Sequence, residues 1–574
     1  MRLVALGAVA LVGVTLAEAQ AQPTSGGVPA GFPRPGEEVR PVPLAVPSTP
    51  PDAPVSPMPA DPAASGAFRF GGVMLEGMTA LAADRLEPLW QPLLGETVTV
   101  ETLDAVAERI TAAYRAEGFV LSQALVPAQT IAADGIVRIQ VVEGFVDRLT
   151  PDGGSASAQA IASRLLEPAA AERPLRLATL ERGVLIARDT LGGSVETVLE
   201  PSPTTFGAAD LTARLEPKPV EGFAVVDNRS SRLFGSWVAR SGGSLTNVMG
   251  LGERIDAQAA AALDTPRLWF LQLGVGAPVT ALDGTWLDGS RLRVRGDVTR
   301  AEPDLSRLLD PGFASVQDES NLGAEWEVPL VRARRENLFV GLAVNYRDSK
   351  ADTRLEDQSI AVDTDRLLTF TPRATYDRAD RFGGVSLVDL RLRAGAAIDG
   401  LTRIGTTGPG APKADFTFVG GGLQRLQQLG PTRWSLYSEV IWQYAFDSLP
   451  TSERFALGGD LLGRGYSPGN TTGDSGYGGR LELRRTVELP AWQDFQSGML
   501  VYGFGEWGSA MDRSDRRDGQ QWEVLGSAGL GARIDVGAHL TLTPEIARQV
   551  AGRPSDRADS DRETRFLVGA VARF

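Results

Sequence analysis

The chain contains no cysteine and a single histidine, His539, in 574 residues. These two shortages remove disulfide frameworks, cysteine–histidine nucleophile pairs, the serine–histidine–aspartate triad and the usual zinc sites. The lone His539 lies in the strand-like run HLTLTPEIA and is expected to be structural or solvent-facing, because it lacks the partners that chemistry requires. Beyond the N-terminus there is no run of about 20 apolar residues, so no membrane-spanning helix is expected. Positive charge is scarce too. Lys and Arg number 57 against 71 Asp and Glu, a net charge of −14, and nucleic acid is an unsuitable partner for such a surface. No P-loop sequence occurs. The expectation is a protein that is not an enzyme and has no cofactor and no metal.

What is present begins with an export signal. Arg2 precedes an apolar stretch, Leu3 to Leu16, too short to span a bilayer, and Ala17-Glu18-Ala19 and Ala19-Gln20-Ala21 are both small-x-small cleavage candidates. Residues 1–21 therefore read as a signal peptide, and the protein leaves the cytoplasm. Residues 22–66 read as a Pro-rich linker: 13 prolines fall between Pro23 and Ser65, which keeps the segment extended and rules out a long helix.

Regular patterning starts near Phe68. A strand-like stretch to Leu75 is followed by a helical run from Leu81 to Leu94 and a cleaner helix from about Glu101 to Glu117. On that helix Leu103, Val106, Ile110 and Ala113/Tyr114 share one face, and Gly118 is placed as its cap. Strand patterns at Phe119 to Leu125 and Ile136 to Val142 complete a small α+β sandwich. A degenerate second copy follows, with helices at Ile161 to Leu166 and Leu175 to Ala187 and strands at Ser194 to Leu199 and Ala209 to Leu215.

From Glu221 to Phe574 helical periodicity gives way to alternation. Trp434, Leu436, Val440, Trp442 and Tyr444 share one face of a run whose other face carries Ser435, Tyr437, Glu439 and Gln443. Phe566, Val568, Ala570, Ala572 and Phe574 likewise alternate with Arg565, Leu567, Gly569, Val571 and Arg573. An apolar face opposite a charged one suits a wall between lipid and water. Roughly 16 such runs, from Phe223 to Thr564, predict a transmembrane antiparallel β-barrel of about 16 strands, wide enough for an aqueous lumen.

Several phrases resemble the transporters of two-partner secretion, the TpsB or hemolysin-activator type, within the superfamily that includes outer-membrane assembly insertases. The stretch from Gly95 to Gly144 is similar to that family's polypeptide-transport-associated (POTRA) domain. The Tyr114…Gly118-Phe119 turn, Val126-Pro127-Ala128-Gln129 and Val142-Glu143-Gly144 carry the likeness, and Leu180-Glu181-Arg182 with Leu191-Gly192-Gly193 carry it in the second copy. Val226-Asp227-Asn228 and Gly235 resemble the entry to the first barrel strand. Gly463-Arg464-Gly465-Tyr466, in the connection Ser448 to Tyr477, is similar to the tip of the superfamily's inward-folded sixth extracellular loop. Phe504-Gly505-Glu506-Trp507-Gly508 resembles the strand motif whose acid meets that arginine; the family's Asp is here Glu506, which leaves bidentate geometry less assured.

The resemblance implies two small α+β POTRA domains, 67–149 and 150–218, and a barrel over 219–574, in the outer membrane of a Gram-negative bacterium with the POTRA domains in the periplasm. It implies a pore that takes an unfolded, β-rich partner protein in the periplasm and exports it to the cell surface. The alternatives are an insertase-like assembly factor and a passive porin. Client-binding candidates are Tyr114, Val126, Pro127 and Gln129. Gly463, Arg464, Gly465 and Tyr466 form the lumen loop motif, and Phe504, Glu506 and Gly508 the strand motif paired with it. If Arg464 and Glu506 pair, reversing both charges should rescue function, and failure of rescue with normal barrel assembly would count against the pairing. Phe574 fits the C-terminal signal read by the barrel assembly machinery during biogenesis. Outer-membrane lipid is the remaining expected partner, and nucleic acid is not one.

Overall fold

A computed structural model describes residues 66–304, 313–355, 358–405, 411–488, 497–513, 522–552 and 562–574. The signal peptide and all but the last residue of the Pro-rich linker lie outside the described residues.

The first unit contains β1 (Phe68–Arg69), β2 (Gly72–Glu76), α1 (Ala83–Leu86), β3 (Thr97–Val98), α2 (Val100–Ala116), β4 (Gln123–Leu125) and β5 (Ile136–Val142). Its sheet has the order β2-β5-β4, with β2 parallel and β4 antiparallel to β5. A capping box of Thr99 and Thr102 starts α2, whose Leu103, Val106, Ala107, Ile110 and Tyr114 are buried. The helical run expected over Leu81 to Leu94 is instead one helical turn and two 3-10 turns, Glu87–Leu89 and Gln91–Leu93. Pro88 and Pro92 cause this, since each removes an amide donor and restarts the chain.

The second unit is β6 (Phe145–Asp152), α3 (Ala156–Ala171), α4 (Leu177–Leu191), β7 (Ser194–Pro201) and β8 (Ala208–Glu216). Its sheet is ordered β6-β8-β7, with β6 parallel and β7 antiparallel to β8. This repeats the first unit's topology, and the repeat is complete only with β6, which the sequence reading left out. The boundary expected at 149/150 falls inside that strand, so the second unit begins at Phe145. The helices α3 and α4 cross closely at Gly183, where a Cβ would lie 2.7 Å from the Leu165 carbonyl oxygen.

The barrel has sixteen staves. Eleven come first: β9 (Val220–Asp227), β10 (Val238–Thr246), β11 (Arg254–Ala262), β12 (Leu268–Pro278), β13 (Arg291–Ala301), β14 (Phe313–Arg332), β15 (Glu336–Leu355), β16 (Gln358–Ala379), β17 (Gly384–Ala396), β18 (Thr417–Gln428) and β19 (Trp434–Ala445). A small hairpin, β20 (Phe455–Leu457) with β21 (Thr471–Gly473), interrupts the wall. Then come β22 (Ser475–Glu488), β23 (Ser497–Met511) and β24 (Trp522–Val536), and two broken staves, β25 (Leu540–Leu542) with β26 (Glu545–Ala551) and β27 (Thr564–Leu567) with β28 (Gly569–Arg573). Pro544 lies at the break between β25 and β26 and supplies no amide to the ladder. Pairing of β28 with β9, from Gly569↔Asp227 to Arg573↔Phe223, closes the barrel.

Alternation places Trp269, Leu271, Leu273 and Val275 of β12 on the exposed outer face while Gln272 is buried within. On β19, Trp434, Val440 and Tyr444 are exposed outside, and Tyr437, Glu439 and Gln443 are buried inside. Strands β14, β15 and β16 have 20, 20 and 22 residues. About 10 residues cross a bilayer, so these three rise well beyond it.

Candidate functional site

The connection between β19 and β22, residues 446–474, folds back into the lumen and rests on the wall formed by β19, β22, β23, β24 and β26. Its tip is Gly463-Arg464-Gly465-Tyr466. Gly463 has φ +104°, a conformation that strains any side chain, and a Cβ there would strike Leu525. This bend drives Arg464 into the wall, where it is almost wholly buried.

Three carboxylates receive its guanidinium. Nε lies 3.1 Å from Oε1 of Glu506, Nη1 donates to Oε2 of Glu545 at 2.9 Å, and Nη2 donates to Oε1 of Glu482. The planar fork also lies 4.2 Å from the ring centroid of Phe504. Glu506 makes no side-on bidentate pair. Its Oε1 accepts from Arg480 at 2.7 Å and faces Arg464, while its Oε2 accepts from the amides of Gly463 (2.8 Å) and Arg464 (2.9 Å) and from Ser527 Oγ (2.9 Å). The longer side chain of Glu thus serves the loop backbone and the arginines together.

Around this core, Arg480 also donates to the carbonyls of Asp460 and Leu461, and Arg484 binds Glu482 through Nε at 2.9 Å and Nη2 at 2.6 Å. Arg229, just after β9, reaches Asp460 Oδ1 at 2.8 Å and lies 3.5 Å from Glu545. At the far side of the tip, Gln549 donates to the Gly465 carbonyl at 2.8 Å and Tyr466 Oη donates to the Ala551 carbonyl at 2.6 Å. Truncating one member of such a buried set leaves an uncompensated charge, at about 3–5 kcal/mol. The sequence reading missed Arg480, Glu482, Glu545 and Arg229. A signal for two of them existed: in Arg480-Leu481-Glu482-Leu483-Arg484 charge recurs at every second residue, as an inward face requires.

The loop is seated by apolar contacts as well. Phe455, Leu457, Leu462 and Tyr466 are buried with Ala510 and Leu525 in one cluster. The wall beneath them is floored by glycine. A Cβ on Gly476 would run into the Phe455 ring, one on Gly478 would lie 2.7 Å from Leu462 Cδ1, and one on Gly508 would lie 2.7 Å from both Leu457 methyls. Lifting each such side chain into water costs about 1.5–3 kcal/mol.

The four client-binding candidates of the first unit have other partners. Tyr114 is fully enclosed in the core, and its hydroxyl donates to Glu143 Oε1 at 2.8 Å, so it presents no surface to a client. Gln129 straddles Arg138, accepting from its amide at 2.8 Å and donating to its carbonyl at 2.7 Å, and so stands in for a neighbouring strand where β4 ends. Val126 packs against the unit's core. Pro127 is half-buried and its carbonyl accepts from Gln129 Nε2 at 3.2 Å.

Glu143 also accepts from the amides of Thr79 (2.6 Å) and Ala80 (2.8 Å) and from the Thr79 hydroxyl at 2.5 Å. Burial alone would raise its pKa, but these donors together with Tyr114 outweigh it and hold the carboxyl below its usual range. A depressed carboxylate contributes stability above its unfolded pKa and loses it as pH falls through the folded value. The calorimetric transition of the first unit should therefore fall in the acid range below about pH 4.3. Glu143→Gln should flatten that acid dependence, and Glu143→Ala should cost about 3 kcal/mol at neutral pH.

The second unit is docked on the rim of the barrel. Arg182 donates to the carbonyls of Pro329 and Asp288, both at 2.8 Å, and Arg164 pairs with Asp283. Arg332 at the end of β14 binds Asp189 of α4 through Nε at 2.8 Å and Nη2 at 3.0 Å, while its Nη1 donates to Asn337 at 2.8 Å. The two units join through the Leu177 amide on the Gly118 carbonyl (2.8 Å) and the Leu175 amide on the Gly144 carbonyl (2.9 Å).

On the same rim Phe574 exchanges backbone hydrogen bonds with Gly222 at 2.9 and 3.0 Å and turns its ring outward, 67% exposed. His539 lies in the turn before β25, where Nδ1 is 2.8 Å from the Arg573 carbonyl oxygen.

Comparison with known proteins adds to this geometry. Residues 68–144 match the family model described as POTRA domain, ShlB-type, and residues 312–534 match that of haemolysin secretion/activation protein ShlB/FhaC/HecB. The chain is 23% identical over 455 residues to hemolysin transporter protein ShlB of Serratia marcescens, covering 75% of each chain. To heme/hemopexin transporter protein HuxB of Haemophilus influenzae strain 86-028NP it is 22% identical over 446 residues, 74% of each. In fold it is similar to CdiB from Escherichia coli, with a TM-score of 0.71, 17% identity and coverage of 91% of this chain and 93% of that one. CdiB from Acinetobacter baumannii gives 0.61 and 15%, with coverage of 89% and 90%.

Proposed function

We infer the function from the premise that this chain belongs to the haemolysin secretion/activation family ShlB/FhaC/HecB and is a transporter of two-partner secretion. It is an outer-membrane pore with its POTRA domains in the periplasm, and its substrate is a partner protein passed through the barrel to the cell surface. One observation carries the reading: the second of two joined POTRA units is fixed to the rim of a closed, polar-lined barrel whose lumen already holds a folded loop. A passive porin leaves those two domains without a task.

In this reading the client arrives unfolded and extended. The outer edge of β2 pairs with no strand among the described residues, and an extended segment can add there by main-chain hydrogen bonds. Gln129 closes part of the opposite edge, which makes Val126, Pro127 and Gln129 a border of the docking surface, with Tyr114 its internal support. No step needs bond-making chemistry, so no enzymatic role is assigned. Outer-membrane lipid faces the apolar band, and Phe574, exposed on the closing strand, is the feature offered to the assembly machinery.

The test is secretion of the cargo with and without residues 68–144, the whole of the first unit, with barrel insertion checked by heat-modifiable gel mobility. Export should fall at least about tenfold while the barrel still inserts and conducts. Unchanged export would overturn recognition of the client by the first unit.

A further inference from the structure

We propose that the inward loop, residues 446–474, remains in the lumen during transport as a permanent inner wall, and that the client passes between it and the staves β10 to β14, because Glu453 of the loop is itself paired with Arg347 of β15 and Arg393 of β17. The proposal rests on the export function above and specifies the client's path through the pore.

Two independent holds support it. One is ionic: Arg464 meets Glu482, Glu506 and Glu545, and Arg480 and Arg229 grip the loop again at Asp460 and Leu461. The other is apolar: Phe455, Leu457 and Leu462 fill the trough over Gly476, Gly478 and Gly508, and each is buried. A gate that swung out would have to release both at once, exposing three apolar side chains and stranding several buried carboxylates in the wall. The trough is a fitted one, because side chains at those three positions would collide with the loop where it now lies.

The opposite side has a different character. By register Arg293 and Arg295 of β13 point inward and are half-buried. That wall carries carboxylates and guanidiniums alternately, among them Asp297, Glu325 and Glu327, the last two paired with Arg373 of β16, and presents to an extended chain a polar face without an apolar surface on which to stick.

The absence of cysteine allows a clean test. A Cβ on Gly476 would lie 2.9 Å from Phe455 Cγ, close to where a cysteine sulfur at 455 would sit, so Phe455→Cys with Gly476→Cys should form a disulfide that ties the loop to β22. The full-length protein is expressed in cells with its cargo, and export is measured with the pair oxidised and with it reduced. Export within about twofold in the two states is expected. Loss on oxidation with recovery on reduction would overturn the proposal.

If the double variant inserts but exports nothing even when reduced, Leu462→Cys alone answers the same question. Its thiol should stay unmodified by a membrane-impermeant maleimide during active export, and modification that appears only during export would overturn the proposal. A wild-type chain that exports nothing fails the export reading itself, which is a separate outcome.

Discussion

Exchanging the charges of Arg464 and Glu506 will leave export lost rather than restore it. In an isolated ion pair the double reversal recreates the attraction. Here a glutamate at 464 would face Glu482 and Glu545, and an arginine at 506 would face Arg480. Two unit charges of like sign about 4 Å apart cost about 4 kcal/mol at an effective dielectric of 20, so the exchange trades one recovered pair for three repulsions. The new guanidinium at 506 would also be unable to accept from the amides of Gly463 and Arg464, which would then lose their buried acceptor. Both single reversals and the double should reduce secretion of the cargo by at least about tenfold, with heat-modifiable mobility showing an inserted barrel. Rescue by the double would mean that the pair acts alone and that the surrounding glutamates contribute little.

This expectation reverses the one drawn from sequence, and the reason is physical. The loop and strand motifs could be recognised as short strings with the right separation along the chain, and the structure brings Arg464 within 3.1 Å of Glu506. Which further carboxylates share the arginine depends on register across five staves. A shift of one residue would turn Glu482 or Glu545 to the lipid side, and a single sequence specifies no such cross-strand register. The barrel itself was legible because alternation of Trp, Leu and Val with charge persists over many strands. The long extensions of β14 to β16 were not, since beyond the bilayer both faces meet water and the alternation loses its cause. Tyr114 misled for a related reason: a hydroxyl-bearing aromatic at a family motif reads as a contact, whereas its ring fills the helix–sheet core and its hydroxyl serves Glu143. The strand β6 is hidden in the sequence because it follows Glu143-Gly144 without a break and a register shift between Val146 and Arg148 spoils its alternation, so Phe145 to Leu149 reads as the tail of the first unit.

The second large effect is expected where the periplasmic units meet the barrel. The guanidinium of Arg332 is only 2% exposed and its two-point partner Asp189 belongs to the other unit, so Asp189→Ala leaves a buried cation held by the Asn337 side chain. Removal of one member of such a pair costs about 3–5 kcal/mol, enough to lower the docked fraction relative to the undocked by about a hundredfold or more. The direct measurement is hydrogen exchange across Leu177–Leu191, whose amides nearest Asp189 should exchange faster in the variant while those of Val100–Ala116 do not change. Export should fall with it if, as proposed, the client is held on the first unit, since that unit is joined to the barrel through the second. The double variant Asp189→Leu with Arg332→Met removes both charges and keeps the volume, and should recover most of the docking. It separates loss of a partner from loss of charge. Unchanged exchange in Asp189→Ala would place the docking energy in the Arg182 contacts with the Pro329 and Asp288 carbonyls instead. Faster exchange with undiminished export would show that the units need not be fixed for the client to find the lumen.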